Sequence, residues 1–269
     1  MWVGLLLVLG LLAMGAIAWL SFVAKQKRRQ GFATMALQLG FEYSPQDPFG
    51  ILAEPFALFE KGDGRGVENV LWGRWQDLDV RLFDYWYYEE STDSKGNRHR
   101  TYYRFDCVIA LVEAACSRLV IEHENLGTRL ANALTFHDIE FESEDFNKTF
   151  YVKSPDVKFA NDLIDARMMD WLLAHGKGFS FEVDGTELLC SCKKIQPMAI
   201  VPLLGTAKAF RDHIPRVVTS LYPSAGGPAQ DGPTASDVEA RNEARWLAGH
   251  YTPPDPPDPG TVVPPQGPD

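Results

Sequence analysis

The sequence predicts an α+β protein in which an N-terminal transmembrane helix precedes one antiparallel-sheet domain with packing helices. Three observations predict it: a long uncharged apolar run opens the chain, β-rich segments with short polar connections follow, and helical periodicity returns after residue 155. Short connections between such segments favour antiparallel pairing. We assign residues 1–24 to the transmembrane helix, 25–40 to a juxtamembrane amphipathic helix, 41–222 to a cytoplasmic α+β domain and 223–269 to a tail.

The apolar run extends from Trp2 to Ala24 without a charged residue. As a helix it measures about 35 Å, which exceeds the roughly 30 Å hydrocarbon core of a bilayer. The alternative is a cleaved signal peptide, because Ala16-Ile17-Ala18 has the form of a cleavage site. A signal peptide begins with a basic region, which this sequence lacks, and the apolar run continues beyond the site. Anchoring is therefore the preferred interpretation.

A membrane collar of four basic residues follows the run directly: Lys25, Lys27, Arg28 and Arg29. Since positive residues stay on the cytoplasmic side of a membrane, the N-terminus is expected outside and the domain in the cytoplasm. The sequence therefore predicts a single-pass protein of the inner cell membrane, with the lipid bilayer as its first partner.

The charge balance excludes one class of partner. The whole chain of 269 residues carries a formal net charge of −10, although its first 30 residues hold four basic residues and no acid. The remainder is therefore strongly acidic, which argues against nucleic acid, because phosphate binding needs a basic surface. In a reducing cytosol the four cysteines are expected as small buried residues, and a metal pair at Cys190 and Cys192 is the weaker alternative.

The middle of the chain predicts a meander of strands. Val67–Trp75 and Leu78–Glu90 flank a tight turn at Gln76-Asp77, and Thr101–Val112 and Arg118–Glu122 follow as two further strands. Asp184-Gly185 is the strongest hairpin signal, between predicted strands at 179–183 and 187–192. Helices are predicted over residues 125–134, 155–175 and 196–218, the last with breaks at its prolines. Residues 137–146 alternate as an acidic strand.

No local motif for catalysis or metal binding is present. The six histidines form no pair at helical spacing and no HExxH, and the chain has no nucleophile elbow and no Walker loop. The segment Gly62–Gly66 resembles a phosphate loop, but a strand rather than a helix follows it, which favours a turn. The sequence therefore predicts no cofactor, no metal and no catalytic residue.

The least ordinary feature is a band of aromatic residues on the predicted strands. If part of it is open, it forms a ligand-binding site for a peptide or an amphipathic molecule. The alternative is an aromatic core that neighbouring strands share. The candidate site residues are Tyr85, Trp86, Tyr88, Tyr103 and Arg104.

The tail from Pro223 holds eleven of the eighteen prolines and is expected to be disordered. One island within it, residues 236–249, has a helix-capping pattern of Ser236 with Glu239 and ends at a glycine. Trp246 and Leu247 give this short helix an apolar tip. The sequence predicts a docking motif for a protein partner there, and the alternative is a solvated remnant.

Four segments carry a resemblance to a known family: GDGRGVENVLWG (62–73), FDYWYYEESTDSKG (83–96), DIEFESEDFNKTFYV (138–152) and DARMMDWLLAHG (165–176). They resemble a family of uncharacterised single-span membrane proteins from actinobacteria, over roughly Gln30 to Pro223. The resemblance implies a single membrane span. It implies no activity, because no catalytic residue is assigned in that family.

Three functions remain open from the sequence. The leading one is a membrane-anchored, non-enzymatic interaction or scaffold protein. The second is a membrane-associated enzyme whose site combines distant polar residues on apolar strands, namely Asp84, Arg104, Asp106 and His123. The third is a ligand-binding sensor that uses the aromatic strands.

Overall fold

A computed structural model describes residues 2–123 and 137–224, and for residues 2–9, 11, 13 and 137 it describes the backbone alone. The helices are α1 (Trp2–Leu39), α2 (Glu144–Thr149), α3 (Val157–Leu163), α4 (Ala166–Trp171), α5 (Ile200–His213) and α6 (Arg216–Leu221). The strands are β1 (Glu42–Gln46), β2 (Gly64–Trp75), β3 (Leu78–Thr92), β4 (Arg98–His123), β5 (His137–Asp138), β6 (Phe150–Ser154) and β7 (Phe179–Lys193). Short 3-10 turns occupy Ile51–Ala53, Ala57–Glu60 and Pro197–Ala199.

These strands form one sheet, and every pairing in it is antiparallel. The strand order is β1-β2-β3-β4-β6-β5, and β7 pairs with β4 outside this order. The α+β class with an antiparallel sheet and packing helices is therefore confirmed. Taking the described residues alone, none of the helices combines the length and hydropathy that crossing a bilayer requires.

The central strand β4 is longer than the sequence predicts. It is a single strand of 26 residues where two strands with a gap are expected. The predicted gap is part of the strand, and the register of its pairing with β7 shifts on both sides of Cys116. Such bulges bend a strand without ending it, so local polarity alone does not reveal them.

The predicted hairpin at Asp184-Gly185 is wrong. The strand β7 continues through both residues, and its two halves pair with β4 rather than with each other. Gly185 supplies the positive φ of 55° that the bulge opposite Cys116 uses. Turn-forming residues are accommodated within a strand here, because β4 offers one long edge for pairing.

Two other predicted elements differ from the observed ones because a side chain caps the start of a new helix in each. The helix expected over residues 155–175 is divided into α3 and α4, because Asp165 accepts a hydrogen bond from the Met168 N–H at 2.8 Å and caps a new helix. The acidic strand expected over 137–146 is only two residues long, and Ser143 caps α2 instead. The predicted helices at 125–134 and 236–249 lie outside the described residues.

The sheet is covered on both faces. The larger apolar cluster includes Phe32, Met35 and Ala36 of α1, together with side chains from α3, α4, α5 and α6. The smaller cluster lies on the other face, where the 3-10 turns at 51–60 place Phe56 and Phe59 over the sheet. Consequently the C-terminal third of α1 is part of the domain core rather than a linker.

Helix α1 ends where the sequence predicts. Gly40 has a φ of 69°, the left-handed conformation that commonly follows a helix, and the Phe41 N–H donates to the Ala36 carbonyl at 2.8 Å. The Phe41 ring then lies directly on Gly73 of β2, where a side-chain Cβ would come within 2.6 Å of it. This contact fixes the C-terminal end of α1 over β2.

Candidate functional site

A buried group of charged and polar residues connects α1 to the middle of the sheet. Asp84 of β3 and Asp106 of β4 lie directly opposite each other in the strand register, and the guanidinium of Arg28 reaches them from α1. Asn69 of β2 completes the group, which we call the Arg28 cluster: Arg28, Asn69, Asp84 and Asp106.

All three nitrogens of the Arg28 guanidinium donate hydrogen bonds. Its Nε and Nη2 donate to the two Asp84 carboxylate oxygens at 2.7 and 2.6 Å, and Nη2 also donates to Asp106 at 2.5 Å. Its Nη1 donates to the Ile195 carbonyl at 2.6 Å. Asp106 in turn accepts the Ile195 N–H at 2.5 Å, so the segment after β7 closes over the cluster. A planar, two-point arrangement of this kind is specific to arginine.

Asn69 orients Asp84 from the side of β2. It is buried, has a φ of 54°, and lies within an irregularity of the β2–β3 register between Glu68 and Leu71. Its amide donates to Asp84 at 2.8 Å and accepts the Tyr43 hydroxyl at 3.0 Å. Bulges with left-handed residues redirect a side chain, and here the redirected side chain supports the acidic pair.

The two carboxyl groups of the cluster differ in acidity. Burial and the adjacent Asp84 raise the pKa of Asp106 to about 8. Burial also disfavours ionisation of Asp84, but the hydrogen bonds from Arg28 outweigh it and hold the pKa of Asp84 below its ordinary value. Asp84 therefore favours its ionised form and Asp106 its protonated form, which lowers the negative charge that faces Arg28.

The four residues of the enzyme hypothesis do not form one site. Asp84 and Asp106 are together, but Arg104 is exposed and lies opposite Trp86, outside the cluster. His123 is at the far end of β4, where it pairs with Phe150. Among the described residues, no group of three or more His, Cys, Asp or Glu side chains is arranged to hold a metal ion. The geometry therefore brings together two of these four residues, and it uses them to join α1 to the sheet.

The aromatic band is divided between the two faces of the sheet. Tyr85 is buried and donates its hydroxyl to the Leu58 carbonyl at 2.9 Å, and Tyr103 stacks on the buried Tyr87 at a ring distance of 4.8 Å. These residues belong to the smaller core cluster. The structure thus places Tyr85 in the core and Tyr103 at its edge.

The other half of the band is partly open. Trp86, Tyr88 and Tyr102 are half-buried on the α1 side of the hairpin that β3 and β4 form. Trp86 stacks on Tyr88, Arg100 lies over the Tyr88 ring at 4.7 Å, and Arg104 lies over the Tyr102 ring at 5.7 Å. We call this group the aromatic patch: Trp86, Tyr88, Arg100, Tyr102 and Arg104.

Glycines of β2 hold the patch in place. A Cβ at Gly66 would come within 2.6 Å of the Trp86 ring, and one at Gly64 within 2.4 Å of the Tyr88 ring. The two rings therefore lie flat on the neighbouring strand, a known way in which aromatic side chains cover glycine in sheets. The glycine-rich segment leads into β2, with Gly62 just before the strand and Gly64 and Gly66 within it, which explains its composition without a phosphate site.

The residues assigned to the membrane collar occupy different environments. Arg28 is within the cluster, and Lys25 pairs with Glu68 of β2 at 3.0 Å. Lys27 is exposed, whereas Arg29 is half-buried. The sequence therefore identified the four cations, but one of them serves as the contact between α1 and the sheet.

No protein-family model matches this chain, and no curated protein matches it. Among solved structures, the crystal structure of the mycobacterial trehalose monomycolate transport factor A, TtfA, is similar with a TM-score of 0.48 and 14% sequence identity. That match covers 76% of this chain and 98% of the other.

Sequence reasoning found part of the Arg28 cluster. Asp84 and Asp106 are recognisable as acidic residues on otherwise apolar strands. The sequence places Arg28 in the collar and singles out neither Asn69 nor Tyr43. An asparagine within a predicted strand is the one local hint, because asparagine tolerates the left-handed conformation that a bulge needs.

Proposed function

We propose that this chain is a single-pass protein of the inner cell membrane, with its N-terminus outside, and that its α+β domain is a non-enzymatic interaction module on the cytoplasmic face. The observation that carries the proposal is the division of α1. Its C-terminal end is docked in the domain, and the side chains described in its preceding apolar part, from Met14 to Phe22, are exposed.

The uncovered part of α1 is apolar on several sides. The exposed fractions of Ile17, Trp19, Leu20 and Phe22 are 57, 66, 66 and 56%. Large apolar side chains that surround a helix without contacting protein need another apolar environment, and a bilayer provides one. The uncharged sequence on the N-terminal side of these residues supports the same interpretation.

Docking makes the proposed anchor directional. Helix α1 continues without a break to Leu39, and the Arg28 cluster and the buried Phe32 hold it on the sheet. A domain attached in this way keeps one orientation toward the membrane, whereas a flexible linker would let it rotate. Such an arrangement suits a scaffold that presents one surface to partners.

The proposed protein partner binds through the tail. Trp246 and Leu247 lie outside the described residues, so the support for this part is the sequence pattern alone. Deleting residues 223–269 and comparing the proteins that co-purify tests it. Loss of specific partners supports the docking motif, and an unchanged set removes the tail from the proposal.

Membrane extraction tests the anchor. The variant Leu20→Arg/Phe22→Arg places two charges in the uncovered part of α1, which should move the protein from the carbonate-resistant membrane fraction to the soluble one. The matched control Leu20→Ala/Phe22→Leu keeps the same two positions apolar and should leave the protein in the membrane. Wild-type protein in the soluble fraction would refute the anchor.

Cysteine labelling tests the orientation. All four native cysteines are buried, so they give little background. An introduced Glu89→Cys in the exposed part of β3 should react with an impermeant maleimide only after the cells are opened. Reaction in intact spheroplasts would place the domain outside and reverse the proposed topology.

A further inference from the structure

We propose that the aromatic patch binds the proline-rich end of this same chain, residues 253–259. This segment has the sequence Pro-Pro-Asp-Pro-Pro-Asp-Pro and lies outside the described residues. The inference goes beyond the proposed function and does not depend on the anchor. It rests on the aqueous position of the patch, the shape and charge of its surface, the pattern of the segment and the length of chain between them.

The hairpin of β3 and β4 that carries the patch lies in water. Its outer part holds the exposed charged residues Glu89, Glu90, Lys95 and Arg98. Placing several such charges in hydrocarbon is strongly unfavourable. Any membrane that the apolar part of α1 enters must therefore leave this hairpin on its aqueous side, and a ligand of the patch reaches it from water.

The rings of the patch form an open angle. Trp86 and Tyr102 are half-buried, their ring centroids are 6.0 Å apart, and their planes are inclined by 50°. The floor beneath is flat, since the Trp86 ring lies on Gly66. Aromatic-lined grooves of this kind dock extended proline-rich segments, whose proline rings pack against the aromatic faces.

Arginines surround these rings. Arg98, Arg100 and Arg104 lie on the same face of β4, and the nearest acid on this face of β3, Glu90, pairs with Arg100 at 2.8 Å. Within the described parts of the chain, no carboxylate lies within ion-pairing distance of Arg98 or Arg104. The patch therefore favours an acidic ligand.

The proline-rich segment matches this surface in spacing. A polyproline II helix has three residues per turn and rises about 3.1 Å per residue. Pro253, Pro256 and Pro259 then share one edge. Asp255 and Asp258 share another edge, about 9 Å apart. Prolines of the first edge can therefore pack against the rings while the aspartates face the arginines, and because proline fixes this conformation before binding, little entropy is lost on docking.

The chain that joins the segment to the domain has a suitable length. Pro223 pairs with Ala114 of β4, which lies ten residues from Arg104, or about 33 Å along the strand. As an unstructured chain, the 29 residues 224–252 have a root-mean-square span of roughly 30 Å. Even with residues 236–249 in a helix, the other 15 residues can extend by about 50 Å. A tether that matches the span gives a high effective concentration, so a weak contact is sufficient.

Photo-crosslinking within the full chain tests the contact. The purified protein in detergent would carry p-benzoylphenylalanine in place of Tyr251, just before the segment. We expect mass spectrometry to find its crosslinks on residues 86–104. The same group in place of Ala229, near the start of the tail, is the matched control and should give no crosslink to those residues. Crosslinks from position 251 that avoid residues 86–104 would overturn the proposal.

Charge reversal tests the role of the arginines. Arg104→Glu should lower the crosslinking yield about threefold, because it replaces an attraction by a repulsion at the surface. Adding Asp255→Arg/Asp258→Arg to this variant should restore the yield. Arg74→Glu makes the same charge change at an exposed position near the other end of β2, and it should leave the yield unchanged. Equal yields for the two single variants would refute the pairing of aspartates with the patch.

Proline replacement tests the conformation of the segment. Pro256→Gly/Pro257→Gly removes the fixed backbone and two ring contacts, so it should lower the yield. Pro264→Gly/Pro265→Gly makes the same change beyond the segment and is its control. A yield that falls only in the control variant would show that a different part of the tail binds.

Isotope mixing identifies the occupant. Crosslinks confined to chains of one label support binding within the chain. Crosslinks between labelled and unlabelled chains would assign the patch to the tail of a second copy and overturn the proposal. The membrane extraction described above tests the anchor separately, so a negative crosslinking result leaves the anchor standing.

Discussion

Arg28 and Asp84 form a two-point ion pair in which Nε and Nη2 of the guanidinium donate to separate carboxylate oxygens at 2.7 and 2.6 Å. The residues are 56 positions apart in the chain, and the pair is almost completely withdrawn from solvent. Because both groups are planar, the contact fixes the rotation of α1 as well as its distance from the sheet. The part of α1 around Arg28 is therefore held on the sheet in one orientation.

Removing the guanidinium should strongly destabilise the fold. Arg28→Ala leaves Asp84 buried without its partner, and breaking such a pair costs about 3–5 kcal/mol of unfolding free energy. Arg28→Lys keeps the charge without the two-point geometry, so an intermediate loss is expected. Lys27→Ala is the control, with a change of at most about 0.5 kcal/mol. Urea unfolding of the full chain in detergent measures the unfolding free energy of all three variants. Equal losses for Lys27→Ala and Arg28→Ala would contradict the role of Arg28 in holding α1 on the sheet.

Stability should fall as the pH rises from about 4 to 8. Asp106 ionises near its ordinary pKa of about 4 when unfolded, and its pKa is about 8 in the folded protein. In that window the folded state binds more protons, so the unfolding free energy decreases with pH. Burial raises the pKa of Glu182 and of Glu187 to about 7. These two residues therefore also lower the unfolding free energy as the pH rises.

The variant Asp106→Asn isolates the contribution of Asp106 to this pH dependence of the unfolding free energy. An amide cannot ionise, so unfolding free energies measured at pH 5 and pH 8 should differ less in this variant than in the wild type. The remaining difference comes from the two buried glutamates. Glu142→Gln, which changes an exposed acid, should retain the wild-type difference. If the unfolding free energy of Asp106→Asn changed with pH as much as that of the wild type, Asp106 would be ionised throughout this range.

The left-handed backbone at Asn69 predicts an unusual order of variants. Asn69→Gly and Asn69→Ala both lose the hydrogen bonds to Asp84 and Tyr43. Only alanine must also adopt a φ of 54° with a Cβ, which costs about 1 kcal/mol more. The glycine variant should therefore be the more stable of the two by denaturant unfolding. Equal stability would mean that the bulge relaxes when the side chain is lost.

The native thiols should be inert until the chain unfolds. All four cysteines are buried, and burial raises the pKa of Cys116 and of Cys192 to about 12. Since the thiolate is the reactive form, maleimide should add to none of them in the folded protein and to all four in denaturant, as mass spectrometry would record. Ser94→Cys in the exposed hairpin turn is the positive control. Modification of a native cysteine in the folded state would reveal an opening of the sheet.

Local patterns predicted much of the fold. The turn at Gln76-Asp77, the end of α1 at Gly40 and the antiparallel meander all follow from residues within a few positions of each other. The same reasoning failed at Asp184-Gly185 and in the middle of β4, because a long neighbouring strand can absorb a turn signal as a bulge. It also missed the division between α3 and α4, where the cap at Asp165 outweighs the apolar periodicity.

The sequence by itself determined the apolar run, the cations that follow it, the strand-rich body and the acidic residues on apolar strands. Only the tertiary structure decided that Arg28 belongs to Asp84 and Asp106, and that the aromatic band has one buried and one open face. Periodicity, capping and turn chemistry act over a few residues, so they can be read directly from the sequence. The partners of Arg28 are 56 and 78 positions away, and which charges meet depends on how the whole sheet packs against α1.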